Sequence, residues 1–497
     1  MAFSTPVFIF LFLPFSLFVF LSLKKKVIPA YLTAVSLFFY YWGEGGYLPF
    51  LLLSIGLNHL FGIWIGKRAE RKRGRWPLAA GIILNLLPLF FFKYSPFLIT
   101  NLNIPLRWAG LAGIPPHASP HLPLGISFFT FLAVSYLIDA YRRPGADRPR
   151  LVETGLYLSF FPAILAGPLN RFRPILEQLR RADWDLDSLS EGIKRFIIGL
   201  GKKTLVANTM AAAVNPIFAA PLGSLTTGLA WLGIAAFALQ IYFDFSGYSD
   251  MAIGLGRMFG FRFAENFNYP YAARTIGEFW TRWHISLSSW LRDYIFLPTA
   301  YAVSRRIRKE RVWRLKAESW SYAAGILVTM FLCGLWHGAS WSFIVWGLWQ
   351  GSLMLFERFG FRRLLKKTWV PLQHLYALLA ILIGWVFFRA PDLGHALGFL
   401  RTLSGFGNGR DTGYSPLFYA NGEMLFFAAI GVMGSLPLLP RLKSVLDRID
   451  RSLKPRTASA LRIGNLLLRN ASLTLILLAS LMAIAGGTHS PFIYFRF

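Results

Sequence analysis

The chain has 497 residues, of which 55% are hydrophobic, 17% aromatic and only 15% charged. Soluble domains carry about 25% charged residues and disordered ones are poor in apolar residues, so the composition argues against both. The formal charge of +29, from 52 Lys+Arg against 23 Asp+Glu, has two readings. Nucleic-acid binding needs one basic face, whereas the positive-inside rule needs Lys and Arg in alternate loops.

In chain order, an apolar run reaches Leu23 and is followed by Lys24, Lys25 and Lys26. A signal peptide has its charges before the apolar run, so this reads as a retained span with its N-terminus outside. Further spans are expected at about 27–43, 47–66, 77–93 and 123–140. The third ends in the basic run 67–75, and the fourth exits to a loop, 94–122, whose only Lys or Arg is Arg107. The apolar stretch 151–168 is followed at once by Arg171 and Arg173. A full crossing would put those arginines outside, so a re-entrant or tilted half-helix is expected, buried in protein. Residues 175–195 read as an amphipathic interfacial helix. Spans follow at about 203–219, 227–245, 320–338, 341–356, 369–388, 416–438 and 464–484. The basic clusters fall in one set of loops, which accounts for most of the charge without nucleic acid and puts the C-terminus outside. The expected fold class is an all-α polytopic membrane protein. Outer-membrane barrel strands alternate over about ten residues, and these apolar runs are long and unbroken.

Polar groups inside apolar spans are costly and mark candidate sites. Asp244-Phe245-Ser246-Gly247-Tyr248-Ser249-Asp250 puts two acids at the end of a span. They would line a cavity in a broken helix, or pair with Arg or cap a helix. The segment 278–294 holds Trp280, Trp283 and Trp290 with Arg282, Arg292 and His284. It suits an anionic aromatic ligand such as a nucleotide-bearing thioester, or an interfacial aromatic belt. A His-x4-Asp motif is absent, because position 289 is Ser. Cys333-Gly334-Leu335-Trp336-His337-Gly338 places a histidine in an apolar hairpin, either as a general base or as a hydrogen-bonding core residue. Cys333, four residues earlier, is on the same helical face and could form a Cys–His dyad with it, although an apolar setting disfavours the thiolate. A lone cysteine excludes an internal disulfide and a Cys-based zinc site. His117 and His121 resemble a metal pair, but Pro120 breaks the helix that would hold them. No metal is expected. His59, His374, His395 and His489 carry no motif. The absence of Gly-x-Ser-x-Gly, a P-loop and a Rossmann glycine motif disfavours a hydrolase, an ATP-driven pump and a dehydrogenase.

The stretch from Asp244 to Pro298, DFSGYSDMAIGLGRMFGFRFAENFNYPYAARTIGEFWTRWHISLSSWLRDYIFLP, resembles the core signature of the membrane-bound O-acyltransferases, in particular their alginate O-acetylation branch. FFKYSPF at 91–97, LPLGISFFTFLAVSYLIDAYR at 122–142, FFPAILAGPLNRF at 160–172, LWHGASWSFIVWGLWQG at 335–351, GWVFFRA at 384–390 and the terminal PFIYFRF agree, in order, over nearly the whole chain.

The resemblance implies one integral-membrane acyltransferase domain over 1–497, with its core signature at 244–351. Its fold would be a ring of about ten or eleven transmembrane helices with re-entrant or interfacial helices around a central tunnel. It implies His337 as the catalytic residue and His284 as its partner. Arg282, Trp283, Arg292 and Asn266 are the candidates for holding the acyl donor, Arg282 and Arg292 through cofactor phosphates and Asn266 through the carbonyl. It implies acetyl-CoA as donor substrate, a location in the bacterial inner membrane bilayer, and a secreted or cell-envelope polysaccharide as final acceptor. The resemblance also implies a separate periplasmic SGNH-type acetyltransferase as partner, which fits a chain in which no segment reads as an extramembrane polymer-binding domain. The alternatives are D-alanyl or other acyl transfer to a cell-wall polymer or lipid, and a polysaccharide or lipid transporter using Asp244 and Asp250 as a relay.

Overall fold

A computed structural model describes all residues except 1, 72, 116–120, 146–148, 182–183, 308–310, 313–314, 408–414, 453–454, 488–491 and 493–497. His117 and His489 therefore lie outside the described residues, as do parts of the basic clusters and of the terminal PFIYFRF. Among the described residues the regular structure is all helical apart from a two-residue antiparallel ladder, Arg311–Val312 with Leu315–Lys316. Helices dominate because a chain in hydrocarbon must satisfy its backbone groups within the segment. Among the described residues, six helical stretches are long and apolar enough to cross a membrane: Ile28–Glu70, Arg75–Trp108, Thr227–Met258, Ala317–His337, Val370–Arg389 and Leu461–Ala485. A bent pair of helices would make a seventh.

The described residues form two compact units. The first comprises residues 1–193, 252–264 and 338–340. It contains α1 (Leu13–Ser22), α2 (Ile28–Glu44), α3 (Leu48–Glu70), α4 (Arg75–Leu89), α5 (Ser95–Trp108) and α6 (Ile126–Arg142). The short α7 (Leu151–Ser159), α8 (Phe161–Ile164) and α9 (Phe172–Arg181) follow, with the start of α10 (Leu186–Gly201). α7 and α8 are the expected half-length element. Nine residues rise roughly 14 Å, against a hydrocarbon core of about 30 Å, and nearly every side chain of the pair is buried. Phe160 (φ −51°, ψ 111°) breaks the helix, and Ser36 accepts the freed Phe161 N–H at 3.1 Å. Buried Glu153 holds the element. It caps the Arg150 N–H at 2.7 Å and takes two bonds from Arg180, each 3.1 Å. The expected single interfacial helix at 175–195 is instead two helices, α9 and α10.

The second unit comprises residues 194–251, 265–337 and 341–497. It holds the end of α10, α11 (Asn208–Ala219), most of α12 (Thr227–Met258), α13 (Ile276–Trp280), α14 (Ile285–Leu291) and α15 (Leu297–Arg306). Then come α16 (Ala317–His337), α17 (Trp341–Phe356), α18 (Arg362–Leu365), α19 (Val370–Arg389) and α20 (Leu393–Leu403). The last are α21 (Pro416–Tyr419), α22 (Gly422–Gly434), α23 (Leu438–Ser452) and α24 (Pro455–Ala485). Burial separates the roles of the long helices. The most apolar window of α12 is 72% buried within protein, and that of α24 only 6%. An apolar helix with so little protein cover is one built to face lipid. α12 also runs thirteen residues past its expected end near 245, to Met258, without a break, so the Asp244–Asp250 motif is on continuous helix.

Candidate active site

α12 presents its two acids to α10 and the segment just after it. Asp244 and Lys203 are both buried and 2.6 Å apart. Asp250 is 2.7 Å from Arg195 and 2.6 Å from Lys202, and Arg195 also binds Glu265. Both acids are paired, which is the second of the readings their spacing allowed. Glycine makes the approach possible. A Cβ on Gly247 would sit 2.7 Å from the Gly199 carbonyl oxygen, and one on Gly199 would sit 2.6 Å from the Gly247 oxygen. No side chain fits at either position.

The same helix supports the second motif through one residue. Ser249 Oγ accepts from Asn266 Nδ2 at 2.8 Å. Asn266 Oδ1 accepts from Ser286 Oγ at 2.6 Å and from the Ser286 N–H at 3.2 Å, and its backbone oxygen accepts from the Ile285 N–H at 2.9 Å. Three bonds thus grip the two residues after His284. His284 itself has φ 44° and ψ 52°, a left-handed conformation that costs a non-glycine residue roughly 1–2 kcal/mol. The Asn266 bonds offset that cost.

The His284 ring is buried, 4.6 Å from Phe245 at a right angle and 6.4 Å from Trp336. Neither ring nitrogen has a hydrogen-bond partner among the described residues. Burial pulls its pKa down to about 3, so the imidazole is neutral and its one N–H is available to donate.

His337 is the last residue of α16 and is buried in aromatic rings: Trp336 at 4.7 Å, Trp346 at 4.9 Å and Phe388 at 5.0 Å between centroids. The α16–α17 hairpin that carries it is unusually tight. A Cβ on Gly334 would meet the Phe343 carbonyl oxygen at 2.3 Å, and one on Gly347 the Met330 oxygen at 2.2 Å. Cys333 is buried in the same helix.

Tryptophans join the two motifs. Trp280 Nε1 donates to Gln350 of α17 at 3.2 Å, and its ring is 5.9 Å from Trp346. Trp283 is 5.0 Å from Trp385 of α19, whose Nε1 donates to the Tyr271 hydroxyl at 3.2 Å. Glu357, at the end of α17, accepts the Ile276 and Gly277 N–H groups at 2.6 and 3.0 Å and so anchors the start of α13.

The other candidates are placed differently. Trp283 is buried, with Phe267, Phe279 and Trp385 packed around it. Asn266 is fully buried and bonded as described. Arg282 pairs with Glu278 at 2.8 Å and donates to the Asn268 carbonyl at 3.1 Å. Arg292 is largely exposed and pairs with Asp293 at 2.9 Å. His121 faces Glu44 at 3.1 Å, His59 meets Thr154 at 3.1 Å and His374 meets the Ala273 carbonyl at 3.2 Å. Phe245, Trp336, Trp346 and Phe388 touch the two histidines and are not distinguished as site residues by the sequence. Their signal was present, since all four lie in motif segments, but aromatic residues there read equally well as ordinary core.

Residues 37–393 match the profile of the membrane-bound O-acyltransferase family. The chain is 35% identical to a "Probable alginate O-acetylase" of Azotobacter vinelandii over the whole of both chains. It is 33% identical to a peptidoglycan O-acetyltransferase of Helicobacter pylori, over 81% of this chain and 80% of that one. It is 29% identical to a teichoic acid D-alanyltransferase of Bacillus subtilis, over 69% and 87% respectively. The profile match covers both histidine motifs and the helices that hold them, and the chain belongs to the membrane-bound O-acyltransferase family, as a multi-pass membrane enzyme that transfers acyl groups.

Proposed function

We propose that the chain takes an acetyl group from cytoplasmic acetyl-CoA and passes it across the bacterial inner membrane for O-acetylation of a secreted or cell-envelope polysaccharide. The observation that carries the reading is the shared indole: His284 and His337, from segments more than 50 residues apart, both pack on Trp336. The alginate and peptidoglycan O-acetylating relatives support acetyl as the acyl group.

In this mechanism His337 takes the proton from the attacking hydroxyl. The oxygen bonds to the thioester carbonyl carbon, and the His284 N–H steadies the resulting oxyanion. The carbon–sulfur bond then breaks, and the leaving sulfur takes the proton back from His337. Asn266 acts by positioning His284 rather than by touching the carbonyl, since its bonds already go to Ser249 and Ser286. Trp283 braces the site from within the aromatic cluster. Arg282 and Arg292 are the candidate cations for the donor's phosphates. Both termini face the periplasm, and a periplasmic SGNH-type acetyltransferase completes transfer to the polymer.

The test is release of free CoA from acetyl-CoA by the purified protein with its partner in nanodiscs. His337→Ala and His337→Gln should abolish it at normal protein levels, and full activity in both would refute the assignment. D-alanyl transfer is the second reading, favoured by the teichoic acid relative, and the same assay with a D-alanyl thioester separates the two. A transporter relaying protons through Asp244 and Asp250 is disfavoured, because both acids are held by cations.

A further inference from the structure

α23 faces the solvent around most of its circumference, yet its residues are sharply sorted. At 100° per residue, Leu438, Leu439, Leu442, Val445, Leu446 and Ile449 fall in one arc of roughly 120°. All but Leu446 have exposed side chains. Every charged residue lies outside that arc. Arg441 and Arg448 border one edge, Lys443 lies beyond the other, and Arg451 is on the far side.

The helix follows α22 at a bend of 61°. Asp450 is tied to Arg462 of α24 at 2.8 Å, which leaves the basic residues in excess. α23 is a poor membrane crossing, because six of its fifteen residues are charged and each would be costly at depth. It is an equally poor helix for water, which would wet a continuous apolar stripe. A basic amphipathic helix with a segregated apolar face suits the boundary between lipid headgroups and acyl chains.

We infer that α23 lies in the plane of the membrane interface and binds anionic lipid. Its apolar arc enters the acyl boundary, while Arg441, Lys443, Arg448 and Arg451 meet lipid phosphates. The bend after α22 turns the chain from crossing the bilayer to lying on it. The partner is identified by charge and by position: a phosphate-bearing surface directly beside an apolar layer. This surface is separate from the histidine site and does not depend on the acyl group transferred.

The single cysteine makes the test direct, because Cys333 is the only thiol to remove. In a Cys333→Ala background, Leu442→Cys and Val445→Cys sample the apolar arc, and Ser444→Cys and Asp447→Cys the polar one. Each full-length variant is nitroxide-labelled in nanodiscs of phosphatidylcholine with or without phosphatidylglycerol. Collision rates with oxygen, which enriches in lipid, and with a nickel chelate, which stays in water, are then compared. Labels at 442 and 445 should favour oxygen and those at 444 and 447 nickel. Phosphatidylglycerol should move 442 and 445 deeper, and added salt should reverse that shift. Arg441→Glu with Arg448→Glu should abolish the lipid dependence. Nickel access at 442 and 445 equal to that at 444 would overturn the inference. So would low collision with both reagents there, which is the mark of a second copy or another protein covering the arc. Equal depth in the two lipids would overturn the claim of anionic binding.

Discussion

His284 and His337 share one side chain, the indole of Trp336, whose ring centroid is 6.4 Å from one imidazole and 4.7 Å from the other. One histidine arrives on a loop held by α12, the other at the end of α16, and the indole is the point both touch. Truncating it should loosen both. Trp336→Ala is expected to lower kcat by at least about tenfold, more than it changes KM, while Trp336→Phe keeps a plane for both rings and should lose several-fold less. Steady-state CoA release measures the split. Equal activity in the two variants would show that the indole is only filler.

His284 gives a pH signature. Its pKa of about 3 is below the usual value near 6.5, so the unfolded chain binds a proton before the folded one does. Its contribution to stability is complete above pH 6.5 and is lost as pH falls toward 3. At pH 4.5 the loss is about 3 kcal/mol. His284→Asn removes this dependence, so its melting temperature should fall less than wild type's between pH 7.5 and 4.5. In activity, the acid limb above pH 5 should belong to another group and survive in any His284 variant that retains turnover.

Asn266→Ala deletes the side-chain bonds to Ser249 and Ser286. Losing buried partners costs about 1–3 kcal/mol each, and here the released backbone carries the strained His284. Activity should fall at least tenfold while the protein still accumulates. Asn266→Asp keeps an acceptor for Ser286 and should recover part of that loss. If Asn266→Ala abolishes activity and Asn266→Asp recovers none of it, positioning through Ser286 is not what the residue does.

The Lys203–Asp244 pair permits a charge-cancelling test. Lys203→Met leaves a buried carboxylate unpaired, which costs about 3–5 kcal/mol, and should depress the folded yield. Adding Asp244→Asn should restore it. Thermal stability in detergent measures both. A relay role for Asp244 predicts instead that the double variant folds and is dead in transport but normal in acyl transfer, so the two assays together decide.

Much of the fold is legible in the sequence. Spans such as 320–338 and 464–484 were readable because hydrocarbon demands long apolar helices, and the half-length element at 151–168 was betrayed by Arg171 and Arg173. The tryptophan-rich settings of His284 and His337 are plain in the sequence, and the structure packs both rings against Trp336. What could not be read is what depends on chain path. Asp244 finds Lys203 only because Gly199 and Gly247 let two helices touch, and spacing does not encode that approach. That the loop turns the Asn266 amide toward Ser249 and Ser286 likewise depends on chain path. Trp385 and Phe388 lie in the GWVFFRA segment, but nothing in that segment says that its helix packs against His337 and Trp283.

The left-handed backbone at His284 also limits what can stand in its place. β-Branched residues are barred by their own Cβ substituents, and among other side chains Asn and Asp tolerate that conformation best. A substitution series at 284 therefore mixes two losses, the imidazole and the turn, unless it is anchored on asparagine. Glycine removes the ring and relaxes the turn at once. A screen that ranks variants at this position by activity alone would rank them partly by how well each residue bends.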